Sequence, residues 1–354
     1  MSAINKAFKA LFEDNSITEI MVDGPDQVYV EREGKLEDVD VHFADEQAVV
    51  LWANDLLSAN GKEPVGKGRP WAMERFSDGT YVTVVVAPVA VSGPSVTIKK
   101  TTPAPFGFDE LIQWGCLSQS MLDFFKVVMQ ANVSMIVSGG TSSGKTTLAG
   151  FIVGLAPPSQ RIVAVGYGEI GRFFRPESRR TVTLEAGQDG EPSVRDLLHL
   201  ARHMRPDRIV YCELDGEESV DVLRLMTTGH DGLIATIHAE SARDALRRLE
   251  TMVTAAEPGL TLPAIRTQIA QGVNLIVQQN RLEDGTRKVV SISEVQGLKG
   301  DSIVLQDLFR WVKTGVDENG RVTGVHRATG AVPSFVPRLA GYRLVFPEGM
   351  FKAD

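Results

Sequence analysis

Cysteine is nearly absent: Cys116 and Cys212 are the two in 354 residues, and no Cys-x-x-Cys pair occurs. That scarcity argues against a zinc cluster or a disulfide scaffold and fits a reducing compartment. An excess of basic charge is missing too. Lys and Arg number 37 against 45 Asp and Glu, a net charge of −8. The chain therefore lacks the overall footprint of a duplex-DNA binder; a local basic groove stays open, but no direct nucleic-acid partner is expected. Long apolar runs are also lacking. The longest uncharged stretch, from Gly79 to Ile98, carries Pro88, Gly93 and Pro94 and is rich in Thr and Val, so it reads as strands rather than a membrane helix. The first residues run straight into a short amphipathic segment without a signal-peptide pattern. A cytoplasmic location is expected, with any membrane work done through a partner. What remains is ordinary for globular domains, 43% hydrophobic and 23% charged. The length suggests about two such domains.

The pattern along the chain changes once. Residues 1–100 read as a small α+β domain, with strands at 17–22, 28–31 and 95–100 and a helix over 45–58, where Val49, Val50, Trp52, Ala53, Leu56 and Leu57 recur at helical spacing. Residues 101–117, with Pro103, Pro105 and Gly107, read as a linker. From 118 to 354 strands alternate with helices, the signature of a parallel sheet with crossover helices. Strands are predicted at 133–137, 161–165, 208–212 and 233–237, and helices at 193–203 and 241–252. A hairpin around Asp284-Gly285 and short strands complete the chain.

Chemistry concentrates in Gly139-Gly140-Thr141-Ser142-Ser143-Gly144-Lys145-Thr146, a full G-x-x-x-x-G-K-[ST] match between a strand and a helix that includes Thr147. Its glycines let backbone N–H groups turn inward around phosphate oxygens. Lys145 supplies a point charge for the terminal phosphates of ATP, and the Thr146 hydroxyl is placed to hold Mg²⁺. The helix that follows aims its positive end at the same anion. Glu213 ends the strand 208–212, where open α/β sheets keep their ligand crevice; it is placed to hold the metal's water or to orient the attacking water. Asp207, before that strand, reads as a turn residue. His230 and His238 bracket the strand 233–237. An imidazole at the carboxyl end, His238, is placed to sense the γ-phosphate, whereas the Gly-rich setting of His230 fits either a ligand contact or a plain turn.

The ordered set Met204-Arg205-Pro206-Asp207-Arg208-Ile209-Val210, Glu213, Thr228-Gly229-His230-Asp231-Gly232 and Thr236-Ile237-His238-Ala239 resembles the secretion ATPases of type II and type IV secretion and type IV pili. Finer features, Arg75-Phe76-Ser77-Asp78-Gly79, Gly93-Pro94-Ser95-Val96-Thr97-Ile98 and Asp284-Gly285-Thr286-Arg287 among them, look like the branch that serves the Tad pilus. The resemblance implies a RecA-like P-loop domain following an N-terminal domain that caps the nucleotide. It also implies a ring of six subunits and an inner-membrane platform protein as partner. Arg75 falls where the family places a nucleotide-contacting arginine. Lys99 and Tyr81 stand where the family usually has Arg.

The chain departs from the family between the loop and Glu213. An acidic segment of the form Glu-Asp-x-x-Glu is replaced by Val165-Gly166-Tyr167-Gly168-Glu169-Ile170, in which Glu169 is the one residue able to stand in for the last acid. The arginines that usually flank a Leu-Glu dipeptide are absent at Leu184-Glu185, although Arg172, Arg175, Arg179 and Arg180 lie nearby. Asp215 stands where Arg is usual. Losing such groups costs hydrolysis more than binding, since an arginine term alone can be worth about 10³ in rate.

Overall fold

A computed structural model of the chain describes residues 3–32, 35–100, 107–166, 180–186 and 192–353. Two compact units divide it, Met1–Pro105 and Phe106–Asp354.

In the first unit, helix α1 (Ala3–Glu13) leads into strands β1 (Ile17–Asp23), β2 (Val28–Arg32) and β3 (Lys35–Asp38), then helix α2 (Glu46–Ala59), then β4 (Trp71–Arg75), β5 (Tyr81–Val85) and β6 (Ser95–Lys99). The strands form one antiparallel sheet in the order β3-β2-β1-β6-β5-β4. Alternate residues of β5 and β6 are buried, the period of a sheet packed on one face. Helix α2 starts where Asp45 caps it, its carboxylate accepting the Ala48 N–H at 2.8 Å. The helix buries Val49, Trp52, Ala53 and Leu57 in a core with Phe8, Phe43 and the inward strand residues.

The second unit contains α3 (Phe108–Gln113), α4 (Gln119–Gln130), β7 (Met135–Gly139), α5 (Lys145–Val153), β8 (Ile162–Gly166), β9 (Thr181–Glu185), α6 (Val194–His203), β10 (Arg208–Leu214) and α7 (Ser219–Thr227). It continues through β11 (Ile234–His238), α8 (Ala242–Ala256), α9 (Leu262–Gly272), β12 (Leu275–Arg281), β13 (Arg287–Lys299), β14 (Ser302–Val316), β15 (Val322–Ala328) and α10 (Val336–Leu339). One sheet runs β15-β14-β13-β12-β7-β11-β10-β8-β9. It is parallel from β12 to β9 and antiparallel from β12 outward to β15. Every residue of β7 and β8 is buried, as strands covered on both faces must be. Helices α4 and α5 cover one face, with Phe124, Phe125, Leu148 and Ile152; α6 to α9 cover the other, with Leu197, Leu223, Leu246 and Ile265. This is the expected fold class, α/β with a small α+β domain ahead of a P-loop domain.

Two segments differ from the sequence reading. Within the segment read as linker, residues 108–113 form α3, and Leu111, Cys116 and Leu117 lie in the second unit's core. The strands after Asp284-Gly285 are long, at 13 and 15 residues in β13 and β14. Register shifts at Ile292/Ser293, Val295/Gly297 and Lys313/Gly315 interrupt their alternation, so each looks like several short pieces in sequence.

The amino edge of the parallel sheet is fixed by a buried cation. Arg208 is 1% exposed and donates to the Met129 carbonyl at 2.8 Å, to Asn132 Oδ1 at 2.9 Å and to the Gly232 carbonyl. Burial pulls its pKa down to about 10, which leaves it cationic at neutral pH. Gly232 is a glycine for this reason: φ is +84° there, and a Cβ would lie 2.7 Å from Arg208 Nη1.

Candidate functional site

Strand β7 ends at Gly139, and the chain turns through 140–144 into α5. The turn is tight: the Ser143 N–H reaches back to the Gly140 carbonyl at 3.3 Å, and Ser142 and Gly144 adopt φ of +57° and +84°. Gly139 has to be a glycine because of close packing. A Cβ there would lie 2.3 Å from both the Gln279 carbonyl oxygen and Ser143 Oγ. Helix α5 has no acidic residue in its first turn; it begins instead with Lys145, which is 8% exposed. A buried ammonium at the positive end of a helix is unfavourable alone and favourable with an anion between the two.

Among the described residues, Lys145 has one carboxylate within ion-pair distance. Its Nζ stands 3.5 Å from Glu213 Oε1. Glu213 sits in β10 where the β10–β11 register slips between Tyr211 and Leu214, at φ +72°, and its N–H donates to Thr236 Oγ1 at 2.8 Å. A non-glycine held in the left-handed region beside a binding loop is the kind of backbone strain that functional sites keep. The bulge turns the side chain out of the buried strand, so that it is 53% exposed while reaching Lys145. Nearby, burial and the adjacent Glu218 and Glu213 carboxylates push the Asp215 pKa up. Buried Glu218 accepts the N–H groups of Asp215 and Gly216 at 3.0 and 2.9 Å.

Of the residues proposed from sequence, the fold brings together Gly139 to Thr147, Glu213 and His238. Thr146 is the half-buried second residue of α5. His238 is registered directly beside Gly139 in the β7–β11 pairing, half-buried at the carboxyl edge. His230 is not brought beside the loop within this chain. It precedes β11, whose Ile234 pairs with Met135, so it lies at the sheet's amino edge while the loop leaves from the carboxyl edge. Arg75 ends β4 in the first unit, opposite Tyr81. Arg180 lies just before β9, also at the amino edge, and donates to the Ser159 carbonyl at 2.7 Å. Glu169, Arg172, Arg175 and Arg179 fall outside the described residues. Asp207 is the expected turn residue, accepting the Arg161 N–H at 2.7 Å.

The structure adds residues that the sequence did not single out. Arg287 donates from Nε to the Ser142 carbonyl at 3.0 Å. Gln279 donates to Cys116 Sγ at 3.5 Å, and burial raises that thiol's pKa to about 11, so it stays a thiol. Glu240 Oε1 lies 3.4 Å from where a Gly140 Cβ would sit. Arg287 and Gln279 meet partners 145 and 163 residues away, a distance no local pattern carries.

These residues fit a phosphate chain with magnesium. The loop is a cradle that side chains would fill, and Ser143 Oγ and Gln279 Oε1 are buried without a hydrogen-bond partner among the described residues. Buried polar atoms of that kind are rare unless a ligand or water meets them. No group of three His, Cys, Asp or Glu able to hold a metal occurs among the described residues.

A family model described as Type II/IV secretion system protein matches residues 3–320. The chain is 27% identical over 297 residues to the conjugal transfer protein TrbB of Rhizobium radiobacter, covering 82% of this chain and 87% of TrbB. It is 34% identical over 261 residues to the type IV secretion system protein PtlH of Bordetella pertussis, covering 65% of this chain and 76% of PtlH. In fold it is similar to the Legionella pneumophila ATPase DotB, with a TM-score of 0.57 and 16% identity, over 82% of this chain and 80% of that one.

Proposed function

The chain belongs to the type II/IV secretion system protein family, and from that premise we propose that it is an ATP-binding and ATP-hydrolysing motor that powers pilus assembly or secretion across the bacterial envelope. The observation that carries this reading is the buried Lys145 ammonium at the head of a glycine-lined loop, 3.5 Å from Glu213. Loop amides and Lys145 hold the phosphates, and Thr146 with Glu213 holds Mg²⁺ or its water. Glu213 orients the attacking water, and His238, beside Gly139, senses the terminal phosphate. Lys145 serves as the phosphates' counter-charge, so nucleotide binding has to release it from Glu213, which frees that carboxylate for water.

The assembly that fits the family is a homo-oligomer, a hexamer, at the cytoplasmic side of the inner membrane, where it meets a platform protein. Among the described residues no helix is long and apolar enough to cross a membrane. Arg75 remains the candidate nucleotide contact of the first unit, and Glu169 the candidate second acid. The Tad-pilus branch rests on the motifs of the first unit and of the β12–β13 turn. The likeness to TrbB favours conjugative transfer as the second reading. The altered segment 165–170 favours a third, a nucleotide-gated assembly subunit with little turnover.

The test is steady-state phosphate release by the assembled chain with Mg-ATP. Lys145→Ala is expected to abolish it; unchanged turnover removes the mechanism. Tight binding with negligible release by the parent chain selects the gated subunit.

A further inference from the structure

The phosphate-loop conformation depends on a residue far away in sequence. β12 and β13 are joined at Asp284-Gly285-Thr286, and the hairpin's first β13 residue, Arg287, faces back across the loop. Its Nε donates to the Ser142 carbonyl at 3.0 Å, and its Cδ lies 3.1 Å from the place a Gly144 Cβ would occupy. Both contacts fall on the two loop residues with positive φ, Ser142 and Gly144. Ser142 is the one without a glycine's freedom, so its left-handed conformation needs outside support. The peptide after Ser142 carries the N–H that closes the turn onto Gly140, at a long 3.3 Å. In a planar trans peptide the carbonyl and the N–H point opposite ways. Fixing the carbonyl on a guanidinium therefore also fixes the direction of the N–H.

We propose that Arg287 is a positioning residue for nucleotide binding: it locks the Ser142–Ser143 peptide so that the loop already has its phosphate-binding shape when empty. This rests on the reading of the loop as a nucleotide site. Arg287 acts through the loop, and the gain is pre-organisation, because a ligand that meets an ordered loop does not spend affinity on ordering it. The residue is half-buried and lies at a hairpin end, so its loss changes loop order far more than global stability.

The test uses the full chain with MgADP as probe, followed by calorimetric titration and by amide hydrogen exchange in the nucleotide-free state. Removing one charge-assisted hydrogen bond predicts that Arg287→Ala binds MgADP about tenfold to a hundredfold more weakly, with a near-parental melting temperature. Exchange at residues 140–146 of the empty variant should be faster than in the parent. Arg287→Lys keeps the charge but not the fixed Nε geometry, and it should recover part of the affinity. If Arg287→Ala does not fold, Arg287→Met, which keeps an apolar stem and has no donor, gives the same measurement. Parental affinity and unchanged loop exchange in a folded variant overturn the proposal and leave the nucleotide reading intact. A folded parent chain that takes up no MgADP overturns both.

Discussion

Gly139 and Gly140 are adjacent, and the structure assigns them opposite tolerances. An alanine at 139 puts its Cβ 2.3 Å from the Gln279 carbonyl and 2.3 Å from Ser143 Oγ. Ordinary contact begins about 1 Å farther out. Ser143 can rotate, but the Gln279 carbonyl belongs to β12, which is paired to β7 on one side and β13 on the other, so that clash is relieved by moving the loop. Overpacking of this kind costs about 1–3 kcal/mol. The stiffer unfolded chain of an alanine variant returns about 0.4–1 kcal/mol. A net loss of about 1 kcal/mol corresponds to a melting temperature lower by roughly 2–4 °C for a unit of this size. A loop displaced by about 1 Å should also cost turnover on the order of 10²-fold. At 140 the nearest atom to an added Cβ is Glu240 Oε1 at 3.4 Å, the movable end of a side chain. Gly140→Ala should therefore melt at or slightly above the parent. Thermal unfolding of both variants, with ATPase assays on Gly139→Ala, decides the matter. A Gly139→Ala chain that melts and turns over like the parent refutes the packing argument.

Three further outcomes follow from the geometry. Glu213→Gln should retain MgADP binding and lose phosphate release by at least tenfold, because it removes the carboxylate that orients water and also frees Lys145 from its ion pair; parallel titration and turnover measurements check it. Arg208→Met removes the guanidinium donor from the Met129 and Gly232 carbonyls, while Asn132 Oδ1 keeps Gln160 as donor, and should destabilise the chain by about 3 kcal/mol in urea unfolding. Burial first, and Lys288 as a further unfavourable charge, hold the His326 imidazole down to about 4, against 6.5 in the unfolded chain. Between those values the unfolded state binds the proton and the folded state does not, so stability should fall as pH drops through that window. After allowance for partial exposure the loss is about 2 kcal/mol, and urea midpoints at either end of the window, compared with His326→Gln, measure it.

Much of this molecule was legible because its signals are local. The loop, the strand before it and the helix after it lie in one continuous stretch. The α2 face likewise lies within one element. Glu213 was found because a charge at the end of an apolar strand stands out. Its left-handed φ was not foreseen, since nothing in Tyr-Cys-Glu-Leu announces a bulge. His230 lies at the other edge for a reason the spacing contains: a residue ahead of a parallel strand belongs to the edge opposite one that follows it. Arg287 and Gln279 were missed because each acts on chain more than 140 residues away, and only the finished sheet brings those partners together. Within the segment Gly229–Gly232, which carries part of the family resemblance, the second glycine is explained by the guanidinium of Arg208 pressed against it.

The nine-stranded sheet has a mechanical consequence. A continuous succession of paired strands, bulged at several points, joins β15 to β7, three strands of hairpin on the outside and the loop's own strand at the end. Tension applied along the outer strands is thus borne in shear by the inter-strand hydrogen bonds and passed toward the strand that ends at Gly139. The outer strands are a handle on the phosphate grip, and a tether attached to β15 pulls on it directly.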